Sequence, residues 1–166
     1  PARRSDQLPI HTHGKPMNTT EFLAIASAIV PDRTAIVFED RRITYADLQD
    51  RVNRLANALA EKGVGPGDRL AIMQVNGVPG IVLYFAAAQL DAIYVPINFR
   101  AKTEELAQML SIAQPSMLFL GQRYANLAPT SGDSALAQDR IVVLDGPAEG
   151  GMLTYDQLVS SAGDHE

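Results

Sequence analysis

The sequence predicts an α/β protein with a largely parallel, twisted sheet and helices on both faces. Apolar runs of strand length alternate with helical segments, and the connections between the runs have the length of βαβ crossovers. Hydrophobic residues make up 46% of the chain and charged residues 20%, as in ordinary globular proteins. At 166 residues the chain has the length of one domain and is large enough to bury about 70% of its unfolded surface.

An irregular arm precedes the first predicted helix. Residues 1–16 contain prolines and polar residues without periodicity, so we divide the chain into an arm over 1–16 and an α/β domain over 17–166. Asn18 followed three residues later by Glu21 is typical of a helix N-terminus. The helix that begins there ends before Pro31, because proline disrupts a helix interior.

A β-hairpin and a long amphipathic helix come next. The apolar residues of 35–38 and 42–45 flank a polar tip, which predicts two antiparallel strands. Thr44 and Asp47 have the spacing of a helix cap, and Gly63 suits the C-terminal cap. One face of this helix is apolar, through Leu48, Val52, Leu55, Ala56 and Leu59.

The remainder alternates strands and helices. A glycine-rich segment, residues 63–68, follows a helix and precedes a strand, so we interpret it as a tight turn; a phosphate-binding loop has the opposite order. Residues 125–139 and 145–151 are predicted loops. The predicted strands are residues 69–75, 93–95, 117–120 and 141–144, and the predicted helices are residues 81–90, residues 103–114 and a short final helix capped by Thr154 and Gln157.

Composition and charge exclude several classes of protein. The formal net charge is −5 and the basic residues are scattered, unlike the basic stripe of a nucleic-acid-binding protein. The chain has no cysteine and three histidines, all near its ends, so disulfides, zinc–thiolate sites and a Ser-His-Asp triad are not expected. The longest apolar run, residues 81–88, is too short for a membrane span, and the polar start lacks the apolar core of a signal peptide. We therefore expect a cytoplasmic protein.

Several ordered motifs resemble the N-terminal region of the adenylate-forming enzymes, the AMP-dependent acyl-CoA synthetases and their relatives. The similarity is close from about residue 32 to residue 120 and looser from there to residue 158. The motifs are residues 31–36 (PDRTAI), 44–48 (TYADL), 51–56 (RVNRLA), 63–72 (GVGPGDRLAI) and 94–98 (YVPIN), together with Asn76.

The resemblance implies a two-step reaction in the parent enzyme. A carboxylate attacks the α-phosphate of ATP with Mg²⁺ assistance, giving an acyl-adenylate and pyrophosphate; a thiol, usually that of coenzyme A, then displaces AMP. The family's Ser/Thr/Gly-rich loop with its lysine is expected downstream. Residues 130–133 (TSGD) have a similar composition, but no Gly-x-Pro-Lys-Gly follows them. They also precede the predicted strand 141–144, whereas the family has this strand before the loop. We therefore expect a fragment, truncated before the ATP-phosphate loop, that is inactive alone and binds no cofactor tightly.

Three residues are candidate ligand contacts. Asn76 follows a strand and is predicted to reach the crevice at its carboxyl end, or else to cap the next turn through its own backbone. The resemblance implies that the nucleotide end of coenzyme A approaches the neighbourhood of Arg100, where an arginine pairs well with phosphate; a solvated surface arginine is the alternative. Arg123 is a similar candidate. Tyr94 is expected to pack. Asp91 stands where the family has glycine.

Other functions remain open. A stand-alone, non-catalytic module that docks a partner or a nucleotide-bearing ligand would use the same strand ends. A dinucleotide-binding oxidoreductase would need G-x-G-x-x-G after a strand, and the sequence has no such motif. A truncated sheet is also expected to expose apolar surface, so self-association is a further prediction.

Overall fold

The computed structural model describes residues 19–129 and 131–161, and the predicted arm over residues 1–16 lies outside that range. Helices and strands alternate after an initial helix and hairpin. Two short 3₁₀ helices, Gln122–Leu127 and Gln138–Arg140, overlap the two ends of the predicted loop over residues 125–139. The elements are α1 Thr19–Ile29, β1 Thr34–Phe38, β2 Arg41–Thr44, α2 Tyr45–Glu61, β3 Arg69–Met73, α3 Val78–Gln89, β4 Ile93–Pro96, α4 Thr103–Ala113, β5 Met117–Leu120, β6 Ile141–Val143, β7 Leu153–Thr154 and α5 Tyr155–Ser161.

A five-stranded, all-parallel sheet forms the centre of the fold. Its strand order is β4-β3-β5-β6-β7, and β1 and β2 form a separate antiparallel hairpin. In chain order the parallel strands therefore lie 2-1-3-4-5, the order of flavodoxin-type doubly wound sheets. The direction of winding reverses between β3 and β5, and open α/β sheets bind ligands at the carboxyl ends of strands beside such a reversal.

Helices cover both faces of the sheet, as predicted. On one face, α1, α2, α3 and α5 pack over strand residues such as Leu70, Phe119 and Val142, all fully buried. On the other face, α4 packs its Leu106 and Leu110 over alternate strand residues. Successive side chains of a strand point to opposite faces, so strands covered on both faces must be apolar throughout. All four residues of β5 are buried for this reason.

The predicted cap of α2 is present. The Thr44 hydroxyl accepts a hydrogen bond from the Asp47 backbone N–H (3.1 Å), and the Asp47 carboxylate accepts one from the Thr44 N–H (3.3 Å). Thr154 and Gln157 make the same reciprocal pair at the start of α5. Each pair satisfies two backbone donors that would otherwise lack an intrahelical partner.

Several elements differ from the prediction, for example strand β3, which ends at Met73 and not at residue 75. Helix α3 begins at Val78, three residues earlier than expected, with Pro79 in its first turn. Proline is tolerated there because a first-turn N–H has no intrahelical acceptor. The two-residue strand β7 pairs with β6 and was not predicted.

Candidate functional site

A groove of about 640 Å³ opens at the carboxyl ends of β3 and β4. The hairpin strand β1, the loop after β3, the start of α3 and the segment after β4 form its walls. No charged side chain lines it, and most of its surface is aliphatic or aromatic. A mainly apolar concavity with a few polar groups, at strand carboxyl ends, is the usual form of a ligand pocket.

The width of the groove depends on a glycine in the first turn of α3. A Cβ at Gly80 would lie 3.7 Å from the Tyr94 hydroxyl oxygen and 3.8 Å from Ile72 Cδ1, which is ordinary contact distance. Both neighbours line the groove. A methyl group therefore fits there, while a larger side chain would occupy the space between α3 and β4.

Aromatic side chains form much of the lining. Tyr84 and Tyr94 meet edge to face, with ring centroids 5.7 Å apart, and Phe38 and Phe99 lie at other parts of the wall. Burial raises the pKa of the Tyr94 hydroxyl above its ordinary value of 10.0, so the group stays protonated at neutral pH. Tyr94 was predicted to pack, and it does pack against Tyr84 while also lining the groove.

Gln74 connects the groove with the reversal point of the sheet. It follows β3 directly and lines the groove, and its Cγ lies 3.3 Å from where a Gly121 Cβ would stand. Gly121 follows β5, so Gln74 lies between the carboxyl ends of the two strands. Its side-chain Oε1 is buried and has no hydrogen-bond partner among residues 19–129 and 131–161. An unpaired buried carbonyl costs about 1–3 kcal/mol.

Asn76 lies in the groove lining and is exposed. It does not cap the next helix, because the N-cap of α3 is Gly77 and no side-chain hydrogen bond is made there. The capping alternative is therefore wrong for this residue. Contact between Asn76 and a ligand stays a prediction.

The two candidate arginines lie on different sides of β3. Arg100 is exposed after β4; its backbone N–H donates to Asn98 Oδ1 (3.0 Å), and its guanidinium carbon lies 5.5 Å from the centroid of the groove residue Phe99. Arg123 is exposed after β5 and lies 5.7 Å from the Tyr124 ring centroid. Neither arginine makes an ion pair within the described residues. The sheet order therefore brings Arg100 and Asn76 to the groove region and leaves Arg123 across β3.

A second polar cluster lies at the opposite, amino-terminal edge of the sheet, where its hydrogen bonds connect neighbouring turns. Asp68 accepts hydrogen bonds from the Ser116 hydroxyl and the Gly65 N–H, and these bonds hold the pKa of its carboxyl below the ordinary 3.8. Arg69 donates to the carbonyls of Ala113 and Gln114 at the end of α4. These bonds satisfy helix-end acceptors and tie the turns together.

Sequence reasoning missed Gln74, Tyr84 and Phe99 as groove residues. For Gln74 a signal existed, since it is the one polar side chain near the end of the apolar run 70–75. Tyr84 carries no such signal, because it reaches the groove only through the packing of α3, and Phe99 is indicated only by its place in the segment after β4.

The described residues contain no group of three or more His, Asp or Glu side chains arranged to hold a metal ion. Within the same residues, no helix combines the length and apolar character of a membrane span.

A family profile and several curated proteins match most of this chain. The profile of the family described as AMP-binding enzyme matches residues 24–164. An indoleacetate–CoA ligase from Aromatoleum aromaticum is 33% identical over 148 residues, which are 89% of this chain and 29% of that protein. The chain thus spans less than a third of the length of the curated relatives it matches.

Solved structures share the fold. A protein from Rhodopseudomonas palustris, described as a long-chain-fatty-acid CoA ligase, superposes with a TM-score of 0.79 at 30% identity, covering 89% of this chain and 37% of that one. The N-terminal domain of FACL13 from Mycobacterium tuberculosis superposes with a TM-score of 0.72 at 27% identity, covering 90% of this chain and 38% of that one.

Proposed function

Because the chain belongs to the AMP-binding enzyme family, we propose that residues 17–166 form the N-terminal α/β subdomain of an acid–thiol ligase. The parent enzyme would activate a carboxylic acid with ATP and Mg²⁺ to an acyl-adenylate, releasing pyrophosphate. It would then transfer the acyl group to coenzyme A, releasing AMP. The parallel sheet would act as a scaffold for this chemistry, and the proposed location is the cytoplasm.

The observation that carries this proposal is the joint match in sequence and fold. The family profile covers residues 24–164, and the matched relatives include an indoleacetate–CoA ligase and a 3-oxocholest-4-en-26-oate–CoA ligase at 33% and 32% identity. The chain covers 38% of a structure described as an N-terminal domain. A first subdomain of a longer ligase accounts for both the near-complete coverage of this chain and the partial coverage of the relatives.

The residues of this chain suit a supporting role. Stabilising charge on the ATP phosphates requires positioned cations and donors, and the family resemblance puts the lysine-containing loop that serves this purpose downstream of residue 166. Arg100 and Arg123, exposed and without an acidic partner among residues 19–129 and 131–161, fit a role in pairing with the phosphates of coenzyme A. When bound, coenzyme A would supply the thiol that accepts the acyl group. Asn76 would contribute a neutral amide at the same edge.

The gene sequence downstream of Glu166 and the activity of the full reading frame test this proposal. We expect the frame to continue into a Ser/Thr/Gly-rich loop containing Pro-Lys-Gly, and the full protein to form AMP and an acyl-CoA from ATP, coenzyme A and a carboxylate. A stop codon directly after Glu166, with tight binding of a partner or nucleotide by the chain alone, would instead support a stand-alone binding module.

The arginine roles need a separate assay on the active full-length protein. Arg100→Gln should raise the KM for coenzyme A by roughly tenfold to a hundredfold, because one charge-assisted hydrogen bond to phosphate contributes about 1.5–3 kcal/mol. The KM for ATP should stay unchanged. Arg42→Gln, on the exposed hairpin strand β2, is the matched control. Equal effects of the two substitutions would remove the coenzyme A assignment while leaving the ligase activity in place.

A further inference from the structure

The groove at the carboxyl ends of β3 and β4 has the electrostatic character of a site for an uncharged ligand. Its lining includes Gln74 and Asn76 as polar side chains but no lysine, arginine, aspartate or glutamate. Arg100 lies beside the groove residue Phe99 but outside the lining. An ion inside the groove would therefore lose hydration without a partner of opposite charge among the lining residues, which is unfavourable. The groove volume of about 640 Å³ lies within the range typical of small-molecule pockets.

The aromatic lining favours an aromatic occupant. Tyr84 and Tyr94 present ring edges and faces at a 5.7 Å centroid spacing, and Phe38 and Phe99 add two more rings to the wall. Aromatic rings prefer edge-to-face or offset arrangements with one another, and each such pair contributes beyond the apolar area that it buries. A flat aromatic molecule can make several of these contacts at once.

The Gln74 amide adds a requirement for a hydrogen-bond donor. Its Oε1 is buried without a partner, and no side-chain hydrogen bond of Gln74 occurs among residues 19–129 and 131–161. The terminal torsion of glutamine is broad, so the amide can turn toward the groove. That rotation breaks no hydrogen bond, whereas an N–H or O–H of a ligand would satisfy the oxygen.

We propose that this groove binds an uncharged aromatic molecule carrying one N–H or O–H donor, which Gln74 Oε1 accepts. The site does not depend on the ligase proposal, since every residue in it belongs to this chain and no adenylation step is involved. Gln74 selects for the donor, and the four aromatic rings hold the flat body of the ligand.

Calorimetric titration of the purified 166-residue chain with three naphthalene derivatives tests the proposal. The probes are 2-naphthol, which has the donor; 2-methoxynaphthalene, which keeps the oxygen but lacks the donor; and naphthalene. We expect 2-naphthol to bind roughly tenfold more tightly than either of the other two, the factor that one net hydrogen bond contributes. Equal affinities, or no saturable binding, would overturn the proposal without bearing on ligase activity.

Two variants locate the binding. Gln74→Met should bind all three probes with nearly equal affinity, because the acceptor is gone and the volume is kept. Gly80→Leu should abolish binding of all three, since its side chain would extend between Tyr94 and Ile72, and Gly80→Ala is its control with only a methyl group added. Circular dichroism confirms that each variant is folded. Unchanged binding by folded Gly80→Leu would place the ligand elsewhere and contradict the assignment.

Discussion

Replacing Asp91 with glycine should stabilise the protein through the backbone alone. Asp91 follows the C-cap of α3 and has φ = +53°, in the left-handed region. Its N–H donates to the Ala88 carbonyl (3.3 Å), and the Ala92 N–H donates to the Ala87 carbonyl (2.9 Å). These two bonds define a Schellman motif, whose left-handed position is usually glycine. The family resemblance also has glycine at this position.

The expected gain follows from two opposing costs. A left-handed conformation costs a residue with a Cβ about 1–2 kcal/mol. Glycine avoids that strain but loses about 0.5–1 kcal/mol more conformational entropy on folding. The midpoints of the two costs differ by about 0.75 kcal/mol in favour of glycine, which for a chain of this length raises Tm by about 1.5–3 °C. The backbone has little room to relax otherwise, because the Asp91 carbonyl also accepts a hydrogen bond from the Gly67 N–H (2.9 Å).

Urea and thermal unfolding of Asp91→Gly and Asp91→Ala separate the backbone effect from the charge effect. Alanine removes the carboxylate but keeps the Cβ, so Asp91→Ala should leave stability unchanged or lower it. The glycine variant should shift the urea midpoint upward with no change in the slope m. If glycine destabilises the protein, or if glycine and alanine stabilise it equally, the backbone-strain argument is refuted.

Three further predictions concern stability and association. Gly80→Ala should stabilise the protein by about 1 kcal/mol, because alanine is the better helix former and its methyl group meets only ordinary contacts. A lower Tm for this variant would show that the methyl group clashes at the start of α3. Asp68→Asn should lower stability more at pH 7 than at pH 3. The Asp68 pKa is lowered chiefly by the Ser116 hydrogen bond, so the stability that the carboxylate contributes is fully present above the ordinary 3.8 and declines as pH falls from there through the lowered pKa of the folded state. Equal losses of stability at pH 7 and pH 3 in urea unfolding would contradict this. Ile25 and Ile29 of α1 are 50% and 72% exposed, so the chain should self-associate at high concentration and Ile29→Lys should weaken that association; sedimentation of the unmodified chain as a clean monomer would count against it.

The helices and strands were predictable where local signals agree with packing. Helix α2 combines a reciprocal Thr44–Asp47 cap with one apolar face, and both signals are contained within the segment itself. The run 117–120 is apolar throughout because both faces of β5 are covered. Strand β7 was missed because its two residues pair with β6 only after the intervening loop folds back. The residues of β7 alone therefore do not indicate that they form a strand.

The groove was only partly predictable for a similar reason. The rule that ligands bind at strand carboxyl ends pointed to Asn76 and to the segment after β4, and both lie at the groove. Its remaining walls come from the hairpin and from α3, elements joined by tertiary packing. The sequence marks Gln74 only as the polar residue near the end of the apolar run 70–75, and its unpaired buried oxygen becomes visible only in the folded structure.

Pyrophosphate release tests the central claim most directly, namely that this chain is the scaffold of a ligase and lacks its adenylation chemistry. The 166-residue chain and the protein from the full reading frame would be assayed side by side with ATP, Mg²⁺, coenzyme A and a panel of carboxylates. We predict carboxylate-dependent release by the full protein and none by the chain alone. Release by the chain alone would contradict the claim, as would its absence from a folded full-length protein on every carboxylate.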